Sequence, residues 1–339
     1  MYDGEELVVR IVELKGNYYQ FGLEQSKELI SSSILEQMTI SSNLQKAKEI
    51  IRNISPKLLL ELKGLADGLE MDLDTVIKCF SGYDVNFPEM GCTTLVRDGY
   101  YVRNYDFSPE LYDARLVFCN PKNGYASVGF SQQIIGRLDG MNEKGLVVGL
   151  HFVNNEHKEE GFIATTIVRM LLEQCGNIAE AIKLITNIPH GYCYNYSITD
   201  PSGKSVIVEA SPERQVVNFI NPLICTNHFD SEVLQEKNRL GIQGSVKRKN
   251  YVNSLLVKEL SLMSAYRHFN DDNSPLFFKH YKEYFGTLHT VVYLPRDLSL
   301  ITGIGENSEP MMFSLKEFME GMLILPENIK GMISSRYSG

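Results

Sequence analysis

Gly91-Cys92-Thr93-Thr94-Leu95-Val96-Arg97-Asp98-Gly99-Tyr100-Tyr101-Val102-Arg103-Asn104-Tyr105-Asp106-Phe107 is the stretch on which the reading of this chain turns. Asp-Gly between two runs rich in Thr, Val and Tyr is a strong signal for a two-residue β-hairpin. In such a hairpin facing positions sum to a constant. Cys92 therefore falls opposite Tyr105, and Thr94 opposite Arg103 on the same face. Asp106 comes to lie beside the backbone end of Cys92.

The chain differs on the two sides of Cys92. Upstream, one alternating run, Leu7 to Leu14, gives way to helical patterning. Ser55-Pro56 reads as a helix start, with Ser as N-cap and Pro at the first helical position. Leu58, Leu62, Leu65 and Leu69 then share one face. Asp72 is placed to cap the next helix. Downstream, strand-like runs follow at Leu116–Cys119, Ala126–Phe130 and Leu146–Phe152. Helices are expected over Thr165–Cys175 and Asn177–Ile188, the second opened by a capping box of Asn177 and Glu180. A second hairpin, Tyr194–Thr199 with Lys204–Ala210, turns at Asp200-Pro201-Ser202-Gly203. Strands lead to Asn227. Helices are expected over about Lys249–Arg267 and Ser274–Tyr284, and strands again at Leu288–Leu294 and Leu298–Thr302. This order does not alternate strand with helix, which disfavours a doubly wound parallel sheet and favours packed antiparallel sheets covered by helices.

Composition removes several function classes. The net charge of −9 over 339 residues and the lack of the basic footprint that nucleic-acid binding leaves argue against that class. No apolar run approaches a membrane span. The N-terminus, Met1-Tyr2-Asp3-Gly4-Glu5-Glu6, lacks the pattern of a secretory signal. Cys79, Cys92, Cys119, Cys175, Cys193 and Cys225 form no CxxC pair, so neither a structural metal site nor a redox motif is expected. Their scatter suits reduced thiols in a cytoplasm. No nucleotide cradle of the GxGxxG or GxxxxGK[ST] kind is present.

Cys92 follows a glycine at the boundary between the two parts. A thiol beside a Gly carbonyl on a tight bend suits intramolecular attack, an N-to-S acyl shift and hydrolysis of the thioester. That cut would free the α-amine of Cys92. An α-amine titrates near ~7.7–8 and a free thiol near ~8.5, so the amine can act as base for its own side chain.

Taken together, these residues resemble the isopenicillin-N acyltransferase-like and choloylglycine-hydrolase-like enzymes of the N-terminal-nucleophile superfamily. The resemblance is carried by Gly91-Cys92-Thr93-Thr94, Arg103-Asn104-Tyr105-Asp106-Phe107, Ile134-Ile135-Gly136-Arg137 and Gly140-Met141-Asn142-Glu143-Lys144-Gly145-Leu146. It continues through Thr226-Asn227-His228-Phe229 and Gly286-Thr287-Leu288-His289-Thr290-Val291-Val292-Tyr293. Leu60-Glu61-Leu62-Lys63-Gly64-Leu65-Ala66-Asp67-Gly68 is similar to the propeptide helix of the acyltransferase branch. The likeness spans nearly the whole chain, in order.

The resemblance implies an α+β fold, a four-layer αββα sandwich of two antiparallel sheets. Residues 1–91 would be a mainly helical propeptide that stays associated, and 92–339 the catalytic domain. It implies self-cleavage at Gly91–Cys92 and an acyl-thioester mechanism on linear amides, by hydrolysis or by transfer to an acceptor amine, without cofactor or metal. Cys92 corresponds to the nucleophile, Asp106 to the group that orients its α-amine, Arg103 to a residue near nucleophile or substrate. Asn227 corresponds to an oxyanion donor and Arg248 to the second active-site arginine. Phe107 and Phe152 are candidate walls of an apolar acyl chamber, and His151 a lining residue. Gly149-Leu150-His151-Phe152 departs from the Gly-Leu-Asn-Phe of the choloylglycine branch, which argues against a bile-salt-type substrate. The expected partner is a small N-acyl amide, with a two-chain protomer after cleavage and its further assembly left open.

Two other readings stand beside this one. Cys92 could be an internal thiol nucleophile with His151 or His228 as base, needing no cleavage; His228 points the opposite way from Asn227 along a strand. The chain could also be an uncleaved binding protein that has lost activity.

Overall fold

In the computed structural model, which describes residues 4–29, 43–257, 259–283 and 285–334, the chain opens with strand β1 (Gly4–Gly16). Helices α1 (Tyr18–Leu29), α2 (Leu44–Ile54), α3 (Pro56–Leu69) and α4 (Leu73–Phe80) follow. Leu58, Leu62 and Leu65 of α3 are buried, as their spacing predicts, and Leu69 packs at the margin of the same core. Each buried leucine contributes ~1.5–3 kcal/mol by the usual transfer scale. Asp72 caps α4 by accepting the Thr75 N–H at 2.9 Å. Ser55 does not cap α3. Its hydroxyl is buried without a partner, and its N–H instead closes α2 on the Ile51 carbonyl at 2.8 Å. With Ser55 ending one helix and Pro56 starting the next, the hydroxyl is turned away from the donors it was expected to meet.

The strands after Phe80 are β2 (Gly91–Arg97), β3 (Tyr100–Phe107), β4 (Arg115–Pro121), β5 (Ser127–Gln132), β6 (Gly136–Arg137), β7 (Asp139–Asn142) and β8 (Val147–Asn154). Helices α5 (Ala164–Gln174) and α6 (Ile178–Ile185) come next, then β9 (Cys193–Thr199), β10 (Ser205–Ala210), β11 (Gln215–Phe219) and β12 (Leu223–Cys225). Helices α7 (Gln243–Leu255) and α8 (Leu262–Asn270) precede β13 (Lys279–His280), β14 (Phe285–Leu294), β15 (Ser299–Ile304) and β16 (Met311–Ser314). The chain closes with α9 (Leu315–Met319) and β17 (Asn328–Ser334).

Two sheets result. The larger runs β11-β10-β9-β8-β7-β5-β4-β1-β17, with β6 on β5; the smaller runs β12-β2-β3-β14-β15-β16, with β13 on β14. Pairing is antiparallel apart from β1 with β4. Alternation along the hairpin splits its side chains between two layers. Cys92, Val96, Tyr101 and Tyr105 join the core between the sheets, whereas Leu95, Tyr100 and Val102 pack with Val252, Ala265 and Phe269 of α7 and α8. On the other side, Val12, Leu14, Val117 and Cys119 carry Tyr18 and Phe21 of α1. The four layers are thus helix, sheet, sheet, helix, the expected αββα architecture. The alternating run Leu7 to Leu14 falls within β1, which lies inside the larger sheet between β4 and β17.

Two helix expectations also change. The stretch expected over Lys249–Arg267 is two helices, because Ser261 starts a second one by accepting the Ser264 N–H at 3.2 Å. The helix expected over Ser274–Tyr284 is absent among the described residues, Tyr284 itself lying outside them. Lys279 and His280 pair instead with Gly286 and Phe285 of β14, followed by a single 3-10 turn at Tyr281–Glu283. The aromatics of this stretch anchor to the sheet, the Tyr281 hydroxyl donating to the Thr287 carbonyl at 2.6 Å and Phe278 meeting Phe285 edge-on, in place of an isolated helix of about three turns.

Candidate functional site

The hairpin has the register its two-residue turn predicts: Gly91 faces Asp106, Cys92 faces Tyr105 and Thr94 faces Arg103. Asp98 (φ 49°) and Gly99 (φ 84°) form the turn with both residues left-handed. Alternation then gives Cys92 two environments, its side chain between the sheets and its backbone end toward the helices above β2.

Between the sheets, Sγ of Cys92 accepts a hydrogen bond from Nη2 of Arg103 at 2.9 Å. The same Nη2 donates to the Leu150 carbonyl at 2.5 Å, and Nη1 donates to Oδ2 of Asp139 at 2.7 Å. Asp139 is held in turn by the Tyr293 hydroxyl at 2.6 Å, with Nε2 of His289 at 3.5 Å. All these side chains are fully buried. Burial pushes the Cys92 thiol up to about 12, against the pull of Arg103, so the sulfur is protonated at neutral pH. Burial alone would also raise Asp139; Arg103, then His289 and Tyr293, outweigh it and hold this carboxyl below the usual range.

At the backbone end, the Cys92 N–H donates to Oδ1 of Asn227 at 2.9 Å. Arg248, on α7, donates to the same oxygen at 2.5 Å and stacks over Phe278. Nδ2 of Asn227 donates to the carbonyls of Phe152 at 2.8 Å and Met90 at 3.4 Å. Asp106 receives the Thr287 hydroxyl on Oδ1 at 2.6 Å, while its Oδ2 is buried without a partner. A Cβ on Gly91 would meet that oxygen at 2.8 Å, so a glycine is what lets the carboxylate approach the Gly91–Cys92 bond. Burial raises the Asp106 carboxyl, with Arg248, Thr287 and Arg103 opposing.

The other candidates lie close by. His151 donates or accepts at Nε2 with Ser197 at 2.9 Å, and its Nδ1 has no partner. Burial, then the Arg103 charge, holds its imidazole well below the ordinary range, opposed by its contact with the Cys92 backbone; it is neutral. Phe107 stacks face to face on Phe87 with centroids 5.9 Å apart, and Phe152 lies under Arg239. His228 points away from Cys92. Its Nδ1 meets the Ser245 hydroxyl at 2.7 Å, and that hydroxyl accepts the Asn227 N–H at 2.8 Å.

Arg103, Tyr105, Asp106, His151 and Arg248 each leave one buried polar atom without a protein partner around Cys92. Buried polar atoms are normally paired, and a cluster of exceptions marks a place built for something else. A protonated thiol, an arginine on it, a carboxylate beside the preceding peptide bond and an amide within reach can serve nucleophilic attack on a carbonyl. Among the described residues no group of three or more His, Cys, Asp or Glu is placed to hold a metal ion, and no helix is long and apolar enough to cross a membrane.

Sequence reasoning missed Asp139, Ser245, Thr287, His289 and Tyr293 as members of this cluster. Asp139 falls between two quoted motif segments, and Thr287, His289 and Tyr293 lie inside another, but residue type alone gives them no assignment.

Residues 94–309 match the family model of acyl-coenzyme A:6-aminopenicillanic acid acyl-transferase, which begins two residues after Cys92. No curated protein matches the chain. Among solved structures it is similar to a variant of the conjugated bile acid hydrolase from Clostridium perfringens, at 15% identity and TM-score 0.47, over 72% of this chain and 97% of that one. It is also similar to penicillin V acylase from Agrobacterium tumefaciens, at 14% identity and TM-score 0.43, over 67% of this chain and 86% of that one. A Caenorhabditis elegans ortholog of N-acylethanolamine-hydrolyzing acid amidase matches at 12% identity and TM-score 0.41, over 60% of this chain and 92% of that one.

Proposed function

Because the chain belongs to the acyl-coenzyme A:6-aminopenicillanic acid acyl-transferase family, we propose that it is a self-processing amidase or acyltransferase whose nucleophile is Cys92, freed by cleavage of the Gly91–Cys92 bond. The observation that carries this reading is the environment of Cys92: sulfur on Arg103 at 2.9 Å, N–H on Asn227 at 2.9 Å, and the unpartnered Oδ2 of Asp106 against Gly91.

In the uncut chain the sulfur attacks the Gly91 carbonyl carbon. The C–N bond breaks, the nitrogen takes the thiol proton and leaves as the α-amine of Cys92, and water hydrolyses the thioester, returning the thiol and leaving Gly91 with a carboxylate. The new ammonium forms beside Asp106, which supplies the counter-charge. Nδ2 of Asn227 loses the Met90 carbonyl it now serves and becomes available to an oxyanion. In turnover, the α-amine takes the thiol proton and Sγ attacks the substrate amide. Asn227 stabilises the oxyanion, and the amine returns the proton to the leaving nitrogen. The acyl-thioester then passes to water or to an acceptor amine. Arg248 holds Asn227 and adds positive charge near Asp106. Phe107 and Phe152 wall the acyl side and His151 lines it as a neutral imidazole. The segment 1–91 acts as a propeptide that stays with the catalytic part 92–339, a role consistent with β1 inside the larger sheet.

The substrate class is a linear N-acyl amide. An activated acyl ester should leave one acyl mass on the Cys92-bearing fragment of wild type and none on Cys92→Ala. Acylation of both, or of neither, would count against Cys92 as nucleophile.

A further inference from the structure

Arg103 and Asp139 come from different sheets. Arg103 lies on β3 of the smaller sheet and Asp139 at the start of β7 in the larger one, and their 2.7 Å bond crosses the layer between them. The guanidinium is fully buried and its Nε has no partner, so Asp139 and the Leu150 carbonyl fix its position on the side of the larger sheet. The backbone there is cut to fit: a Cβ on Gly149 would meet Nε of Arg103 at 3.0 Å and the Tyr101 hydroxyl at 2.0 Å. Asp139 is held too, by Tyr293 at 2.6 Å on one oxygen and by Arg103 at 2.7 Å on the other, with Nε2 of His289 3.5 Å away. His289 is clamped by the Tyr112 hydroxyl at 2.8 Å and by the Phe130 ring, 3.6 Å between centroids.

We propose that Asp139 is the positioning residue of this site: from the opposite sheet it holds the Arg103 guanidinium on Sγ of Cys92 and offsets part of its charge there. The inference rests on Cys92 being the nucleophile. A bare guanidinium 2.9 Å from the sulfur in a dry interior would favour a thiolate. Paired with Asp139 it is a directional donor whose pull on the thiol is opposed. The resting thiol then keeps its proton and gives it up only as the sulfur attacks a carbonyl. Around Cys92, Arg103 and Arg248 pull the thiol down while Asp106 and Asp139 push it up. The groups facing it are Arg103, Tyr105 and Asp106 on β3, Asp139 on β7, neutral His151 on β8, Arg248 on α7 and Cys225 on β12. Asp139 is the carboxylate among them that bonds directly to Arg103.

The test compares iodoacetamide labelling of Cys92 in the purified full chain, read by peptide mass, in wild type, Asp139→Asn, Asp139→Glu and Tyr293→Phe. One unit of thiol acidity is a tenfold change in thiolate, so Asp139→Asn should label Cys92 at least ~10-fold faster than wild type at ~pH 8. Labelling of buried Cys175 and Cys193 in the same sample should not change. Asp139→Glu should return Cys92 toward the wild-type rate. Equal labelling in Asp139→Asn and wild type, no labelling in either, or a rise shared by Cys175 and Cys193, would overturn the proposal. If Asp139→Asn does not fold, Tyr293→Phe takes one hydrogen bond from Asp139 and loosens its hold on the Arg103 guanidinium. It should speed Cys92 labelling a few-fold, and an unchanged rate would overturn the proposal. Labelling is read whether or not the chain is cut, so a chain that never cleaves and never takes an acyl group defeats the nucleophile assignment while leaving this comparison readable.

Discussion

Asp106 has one oxygen bonded to Thr287 and the other bonded to nothing, in full burial. Its carboxyl is raised, so in the uncut chain the ionised form is a cost. That cost is absent below the unfolded pKa and in full force above the folded one. In a Cys92→Ala background, Asp106→Asn should therefore stabilise the uncut chain at neutral pH. The gain should fade as pH falls through the folded pKa of Asp106, and denaturant midpoints measured along a pH series would show it. A constant difference across pH would mean Asp106 is not the titrating group. Asn227 makes a kinetic prediction. If its amide meets the oxyanion, Asn227→Ala should lower kcat ~10²–10³-fold, the usual range for one such donor, with KM changing far less. Of these residues, the sequence brings Cys92, Arg103 and Asp106 together because a thiol, an arginine and a carboxylate share one hairpin, whereas Asn227 was named only through the family resemblance. Asp139 was not legible, because no local pattern tells which residue of one sheet will lie over a given residue of the other.

At the scale of elements, the hairpin register was legible because a two-residue turn leaves it no freedom. The bulge in β14 between Thr287 and His289 was not. It turns Thr287 toward Asp106 and puts His289 on the inner face beside Asp139, two placements a regular strand would not combine. Asn142, inside a motif that carried the family resemblance, serves the fold: its Nδ2 takes the carbonyls of Leu172 at 3.0 Å and Cys175 at 2.7 Å at the end of α5. The N-terminal helices are tied on by charge as well as by leucines. Glu61 of α3 accepts from Arg169 of α5 at 2.8 Å and from Gln25 of α1 at 2.5 Å, and Arg169 also meets Glu173. Removing one partner of a buried pair usually costs ~3–5 kcal/mol. Glu61→Ala should lose about that much by denaturant unfolding, and Glu61→Gln, which keeps a hydrogen-bonding oxygen, less. A loss below ~1 kcal/mol in Glu61→Ala would show that the leucines alone hold α3.

For the whole molecule, burial of neutral histidines sets an acid limit. Burial holds His151 well below its ordinary range and brings His190 down to about 4, and it lowers His289 against the pull of Asp139. These groups stay neutral in the fold while the unfolded chain protonates below ~6.5, so each withdraws up to ~1.4 kcal/mol per pH unit as pH falls below that value. His190, whose ring packs edge-on against Tyr196 with no side-chain hydrogen-bond partner on either nitrogen, tests this cleanly. His190→Phe should flatten the fall in stability between ~pH 6.5 and ~pH 4.5 by about one proton's worth. An unchanged slope would remove His190 from the account. The αββα order was legible from the sequence of strands and helices. The place of β1 inside the larger sheet was not, because the alternation of Leu7 to Leu14 does not say which strand it joins. The central claim concerns one covalent bond, and the most direct measurement is the intact mass of freshly purified wild type under denaturing conditions, beside Cys92→Ala. The account predicts two fragments divided at Gly91–Cys92 in wild type and a single full-length mass in the variant; a single full-length mass in both would contradict it.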